Sequence, residues 1–293
     1  MTVLSDAKPA ATPNLTKLRV KGFFSRVPVI IGSVIILTVV VFAVAAPLIA
    51  PYDPAKQDVV ARLQPMSAEH WFGTDGLGRD VLSRLIFGSR TSLLVGLFST
   101  LVAGCFGMAI GLIAGFVGKW VDSIMMRVMD ALMSIPIIIL ALFLGAVLGR
   151  GLGNIILCLG IVMTPSYARV TRGQVLSVKQ LDYVTAARVS GGTGLKTVVH
   201  HIFPNCLAPN MVLATMNLGV AILVEAALSF LGMGIAEPTP SWGGMVSQGK
   251  DVLTTAPTMA VAASLFIVIT VWAFNVVGDA VRDLLDPRLR GAL

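Results

Sequence analysis

The sequence predicts an all-α membrane protein with six helical spans. Three observations carry that prediction. Hydrophobic residues fill 56% of the 293 positions and charged residues only 13%, whereas a soluble domain carries about 25% charged residues. The charges fall in clusters separated by long uncharged runs. Six of those runs approach the roughly 20 apolar residues needed to cross a hydrocarbon core about 30 Å thick.

Taken in order, the first run covers residues 27–50. Its basic lead and the Ala43-Val44-Ala45 stretch resemble a cleavable export signal, but the lead is long and further spans follow, so the run reads as a retained anchor. The second run, 92–117, places Gly107, Gly111 and Gly115 on one helix face at every fourth residue. A second backbone can approach closely there. Such a face serves either helices that slide and repack or a static packing seam, and Gly96 and Gly104 loosen the same helix. The third run, 128–148, contains Pro136, which predicts a kink. The fourth, 152–168, is short and has Pro165 near its end. The fifth and sixth cover 207–231 and 257–277.

Two acidic residues lie in these runs. Asp130 sits near one end of the third, near Arg127, and reads as a helix-end charge or, alternatively, as a pore or gating candidate. Glu225 lies well inside the fifth. A charge at membrane depth costs roughly 2.5–3.5 kcal/mol on insertion scales, so Glu225 is expected to face a cavity or a polar partner. It is a candidate pore or gating residue, or the donor or acceptor of a structural hydrogen bond between helices.

The basic residues set the orientation. With the N-terminus inside, the tail 1–26 carries Lys8, Lys17, Arg19, Lys21 and Arg26, and the second-to-third connection carries Lys119 and Arg127. The fourth-to-fifth connection carries Arg169, Arg172, Lys179, Arg188 and Lys196, and the last tail Arg282, Arg288 and Arg290. That is most of the 22 Lys and Arg, which predicts both termini on the cytoplasmic side. Lys56, Arg62, Arg79, Arg84 and Arg90 fall outside in the first loop, about 51–91, where Asp53, Asp58, Glu69, Asp75 and Asp80 balance them. The last outside loop, about 232–256, is rich in Pro and Gly. No soluble domain separates the spans, so residues 27–293 form a single transmembrane domain after the tail.

Several chemistries are excluded. The net charge of +7 flanks apolar runs, which suits a lipid surface rather than nucleic acid. Cys105, Cys158 and Cys206 have no metal or redox spacing and read as small packing residues. His200 and His201 are adjacent, point in different directions on a helix, and make no metal pair. The run Gly191-Gly192-Thr193-Gly194-Leu195-Lys196-Thr197 lacks the spacing of a phosphate loop and has no preceding strand. No paired catalytic residues stand at membrane depth, so the chain reads as a non-enzyme with no cofactor or metal of its own. An ion-coupled secondary transporter would want more ionisable groups inside the spans than Glu225 and Asp130.

The inside connection, about 169–206, is the most informative segment. Residues 178–190 contain no Pro or Gly and predict a short helix. Gly191-Gly192 permits a sharp turn, residues 195–202 predict a second short helix, and Pro204 is expected to stop it before the fifth span. With the small Ala186 and Ala187 on one flank, this helix–turn–helix suits either docking into another protein or lying on the membrane surface.

The order Ala186-Ala187, Gly191, Ile202-Phe203-Pro204 resembles the coupling motif of binding-protein-dependent importer permeases. Thr185 stands where that motif usually has Glu, which leaves the helix–turn–helix intact but carries over no ionic contact to an ATPase. Residues Phe72-Gly73-Thr74-Asp75-Gly76-Leu77-Gly78-Arg79-Asp80, Glu225-Ala226-Ala227-Leu228-Ser229-Phe230-Leu231-Gly232, Pro240-Ser241-Trp242-Gly243 and Gly278-Asp279-Ala280-Val281-Arg282-Asp283 are similar to the second permease of dipeptide, oligopeptide and nickel importers. The resemblance spans roughly residues 25–290. It implies the type I permease fold of ATP-binding-cassette importers, in a bacterial inner membrane. It also implies a second homologous permease, two ATPase subunits that hold ATP and Mg, and an extracytoplasmic binding protein. The cargo would be di- or oligopeptides, with nickel or another small solute as the alternative. Tyr183, Thr185, Ala186, Ala187, Gly191, Ile202 and Pro204 would form the ATPase-coupling element.

Overall fold

The structure is a computed structural model that describes residues 26–189 and 194–285. The tails beyond those limits and Gly191 lie outside the described residues. Among the described residues the chain is helical, with one isolated bridge between Thr74 and Asp80 and no strand. Helices satisfy their own backbone groups, which lipid requires.

Helix α1 (Val27–Ile49) carries no charge and buries only a narrow stripe of Val29, Gly32, Val39, Ala43 and Ala46. Its other faces leave Leu37, Val44 and Leu48 exposed, as expected of a helix at the rim of a bundle in lipid. Helix α2 (Val81–Val117) is 37 residues long. It starts well before the expected position 92 because Asp80 caps it, accepting from the Ser83 N–H at 2.7 Å. Its first turns contain Ser83, Arg84 and Ser89, all buried, so the helix continues past the point where hydropathy falls.

The third span is not one helix. Helices α3 (Lys119–Met133) and α4 (Ile137–Leu148) meet at 94°. Pro136 is the N-cap of α4, with a non-helical ψ of 134°, so the kink expected there is a full break. Helix α5 (Leu152–Val178) continues beyond the expected end at 168, passes Pro165, and carries Arg169 and Arg172.

Two short helices follow, α6 (Asp182–Val189) and α7 (Gly194–Thr197), then a π-turn (Val198–Ile202) leading into α8 (Phe203–Phe230). Pro204 does not stop the chain. The Phe203 N–H bonds to the Val198 carbonyl, five residues back. This wider turn accommodates the proline ring and its missing donor, so residues 194–230 run as one helical stretch. A short helix α9 (Trp242–Lys250) precedes α10 (Thr258–Leu285). Among the described residues five helices are long and apolar enough to cross a membrane, or six spans if the bent pair counts as one.

The bundle is held by small residues at helix crossings. Gly32 of α1 lies against Ala273 and Val277 of α10, and Gly219 of α8 against Val271 and Asn275. The glycine face of α2 is filled by α5 of the same chain. A Cβ on Gly111 would lie 2.5 Å from the Ala168 carbonyl oxygen, and one on Gly115 would lie 2.8 Å from Val175 Cβ. Gly107 faces Tyr167 and Thr164 in the same way.

Candidate coupling surface and buried charges

The short helices between α5 and α8 are keyed into the bundle by one apolar cluster. Val184 of α6 packs with Val175 and Val178 of α5, with Ile202 of the π-turn and with Cys206 in the first turn of α8. Lys179 donates to the Gly115 carbonyl at 2.9 Å, which satisfies an orphan acceptor at the end of α2. Phe116 lies against Gly194. The segment therefore touches the ends of three long helices.

The sequence-predicted coupling residues divide between the two faces of this segment. Ile202 is buried and belongs to the anchor, while Tyr183, Thr185 and Ala186 are exposed and Ala187 is half-buried. Tyr183 accepts from Asn205 at 3.2 Å and lies edge-on to His201, which ties α6 to the first turn of α8. Pro204 is exposed in that turn. Apolar side chains project outward beside them: Val189 is 85% exposed and Leu195 76%. Burying two such aliphatic side chains is worth roughly 1.5–3 kcal/mol each.

Glu225 is fully buried, and the Ser229 hydroxyl, one turn on, donates to its Oε1 at 2.7 Å. Ser241, which caps α9, lies against the same carboxyl group, while Oε2 has no hydrogen-bond partner. The residue thus sits inside the fold, between α8 and the start of α9, and meets a polar partner as its depth required. Asp130 is exposed and pairs with Arg169 of α5 at 2.6 Å rather than with Arg127. A buried clamp that sequence reasoning missed joins α5 to α8, where Asn210 donates to Thr171 Oγ1 at 2.9 Å. An Asn one turn inside a span is the signal that could have found it.

The opposite end of the bundle holds a second missed feature. Arg79 and Arg84 are almost wholly buried. Asp75 accepts from Arg79 Nε at 2.6 Å and from the Leu77 and Arg79 N–H groups. Arg79 reaches on to Glu237 at 3.3 Å and Gln248 at 3.0 Å, which joins the first loop to the α8–α9 loop and to α9. Arg84 donates to the Pro54 carbonyl at 3.2 Å. Gly73 and Gly78 hold φ of +73° and +75°, and a Cβ on Gly78 would collide with the Asp58 carbonyl, so the turn needs glycine. Trp242 of α9 donates to the Leu85 carbonyl at 2.9 Å and closes this cap onto α2.

Helical throughout the described residues and with five or six candidate spans, a short-helix segment at one end and an ordered polar cap at the other, the chain is a multi-pass membrane protein. Residues 107–291 match the family described as binding-protein-dependent transport system inner membrane component. Residues 15–65 match the N-terminal TM domain of oligopeptide transport permease C. The chain is 40% identical over 261 residues to the dipeptide transport system permease protein of Alkalihalophilus pseudofirmus, covering 89% of this chain and 86% of that protein. It is 40% identical over 260 residues to a probable D,D-dipeptide transport system permease protein of Escherichia coli, covering 89% and 87%. It is 38% identical over 271 residues to a glutathione transport system permease protein of Pectobacterium atrosepticum, covering 92% and 90%. The chain belongs to the binding-protein-dependent inner membrane permease family of ATP-binding-cassette importers.

Proposed function

We propose that this chain forms half of the translocation pore of an ATP-driven importer of short peptides. The carrying observation is the identity across nearly the whole chain to permeases whose names specify dipeptides, together with a glutathione permease, itself named for a peptide. That set favours peptides over nickel or an ion as cargo. A second homologous permease completes the pore, two ATPase subunits bind ATP and Mg, and an extracytoplasmic binding protein delivers cargo at the end bearing the Arg79 cap. Both termini lie on the cytoplasmic side, with the short-helix segment.

In this reading α6 and α7, with Tyr183, Thr185, Ala186, Ala187 and the intervening Gly191, dock into an ATPase groove. Ile202 and Pro204 join that element to α8. Closure of the ATPase dimer displaces the segment. The shared cluster of Val175, Val184 and Cys206 passes the displacement to α5 and α8, and Lys179 passes it to α2. Glu225 gates through its contact with the start of α9, and Asp130 through its pair with Arg169. This chain supplies no catalytic residue.

The test is a mild-detergent pull-down of the tagged chain, followed by reconstitution with dipeptide and ATP. Co-recovery of a second permease and ATPases with ATP-dependent dipeptide uptake is expected. Recovery of the chain alone, active in vesicles without ATP, would overturn the proposal. Uptake of nickel but not dipeptide would overturn the cargo alone.

A further inference from the structure

The bend between α3 and α4 has a consequence for lipid. Helix α4 is apolar all round, with Ile138, Ile139, Phe143 and Val147 exposed, so it runs through hydrocarbon. Helix α3 lies at 94° to it and is two-faced. Trp120, Ile124 and Val128 form an exposed apolar stripe at every fourth residue. Lys119, Asp122, Arg127 and Asp130 line a cavity on the other side. An amphipathic helix at right angles to an apolar one is the geometry of a helix lying in the membrane interface, where Trp is favoured.

The cavity has a volume of about 530 Å³ and is closed on its far side by Arg169 and Arg172 of α5. Its two carboxylates are already committed. Asp122 takes Arg172 at 2.6 Å, and Asp130 takes Arg169 at 2.6 Å. Lys119 and Arg127 also line it and have no carboxylate partner among the described residues. Lys119 is held at a φ of +49°, a backbone conformation that a side-chain-bearing residue adopts at a cost. The two cations without a carboxylate partner therefore line this cavity, on a helix whose other face is apolar.

We propose that this cavity binds the phosphate of an anionic phospholipid, with Lys119 and Arg127 contacting the headgroup and its acyl chains lying along Trp120, Ile124 and Val128. Inorganic phosphate shares the headgroup chemistry but has nothing to place on the apolar stripe. The site lies on this chain alone and does not depend on which cargo is carried.

The test uses the assembled transporter, purified in mild detergent and titrated with phosphatidylglycerol or phosphatidylcholine, with bound lipid counted by native mass spectrometry. Phosphatidylglycerol should be retained and phosphatidylcholine lost, and millimolar inorganic phosphate should not displace the retained lipid. Removing charge in the Lys119→Gln/Arg127→Gln pair should weaken that lipid about fivefold per cation. The Lys119→Arg/Arg127→Lys pair should keep it. Equal retention by wild type and the glutamine pair would overturn the proposal. So would equal retention of both lipids by wild type, the result expected if a partner subunit covers the cavity. Displacement by inorganic phosphate would also overturn it, in favour of a free-phosphate site. Should the glutamine pair fail to assemble, the two wild-type comparisons decide.

Discussion

Replacing Gly111 with alanine tests the α2–α5 seam with one methyl group. The added Cβ would lie 2.5 Å from the Ala168 carbonyl oxygen and 2.7 Å from Thr171 Cβ, whereas ordinary contact begins near 3.4 Å. The nearest obstacle is backbone, which cannot rotate away, so the two helices must part by about 0.9 Å. Overpacking of this kind costs about 1–3 kcal/mol, against which alanine recovers up to about 1 kcal/mol of helix propensity. Gly104 lies on the same helix but meets only Tyr167 ring carbons, at 3.7 and 3.9 Å. Gly104→Ala therefore gains the propensity without the clash and serves as the internal control. Thermal unfolding of the purified complex in one detergent should place Gly111→Ala below wild type and Gly104→Ala at or above it. A Gly111→Ala complex as stable as Gly104→Ala would refute the argument that backbone contact sets this seam.

Arg79→Ala leaves Asp75 buried with only the more distant Arg84 guanidinium, 3.6 Å away, and its backbone donors, and should destabilise the cap by about 3 kcal/mol, seen as lost thermal stability; an unchanged midpoint would contradict the burial of this pair. Val189→Asp with Leu195→Asp should leave the chain inserted and folded but separate ATP hydrolysis from uptake, and retained coupling in reconstituted vesicles would sink the docking role. Ala187→Glu should do the same through steric bulk on the half-buried flank of α6. Glu225→Gln keeps an acceptor for Ser229, so the complex should assemble while its transport rate changes; loss of the assembled complex would instead favour a purely structural role.

The six apolar runs were legible because the free energy of placing a side chain in hydrocarbon is local and additive along the sequence. What was not legible is pairing across sequence distance. Arg79 and Arg84 read as solvated loop charges balanced by nearby acids. Their burial depends partly on Glu237 and Gln248, 158 and 169 residues away from Arg79. The start of α2 and the end of α5 were missed for a related reason, since Arg84, Arg90, Arg169 and Arg172 interrupt hydropathy without interrupting the helix. Pro204 was misread because a proline in sequence forbids one hydrogen bond, while the chain can supply a different one from five residues back. Pro136 and Pro204 thus carry the same local signal and opposite outcomes. The difference lies in what surrounds them. The helix α3 ends at its cap Ser134, before Pro136, and is held to α5 off the line of α4 by the Asp122–Arg172 and Asp130–Arg169 pairs, whereas the buried Ile202 and Cys206 on either side of Pro204 are held against α5 and α6 and keep the helix in line.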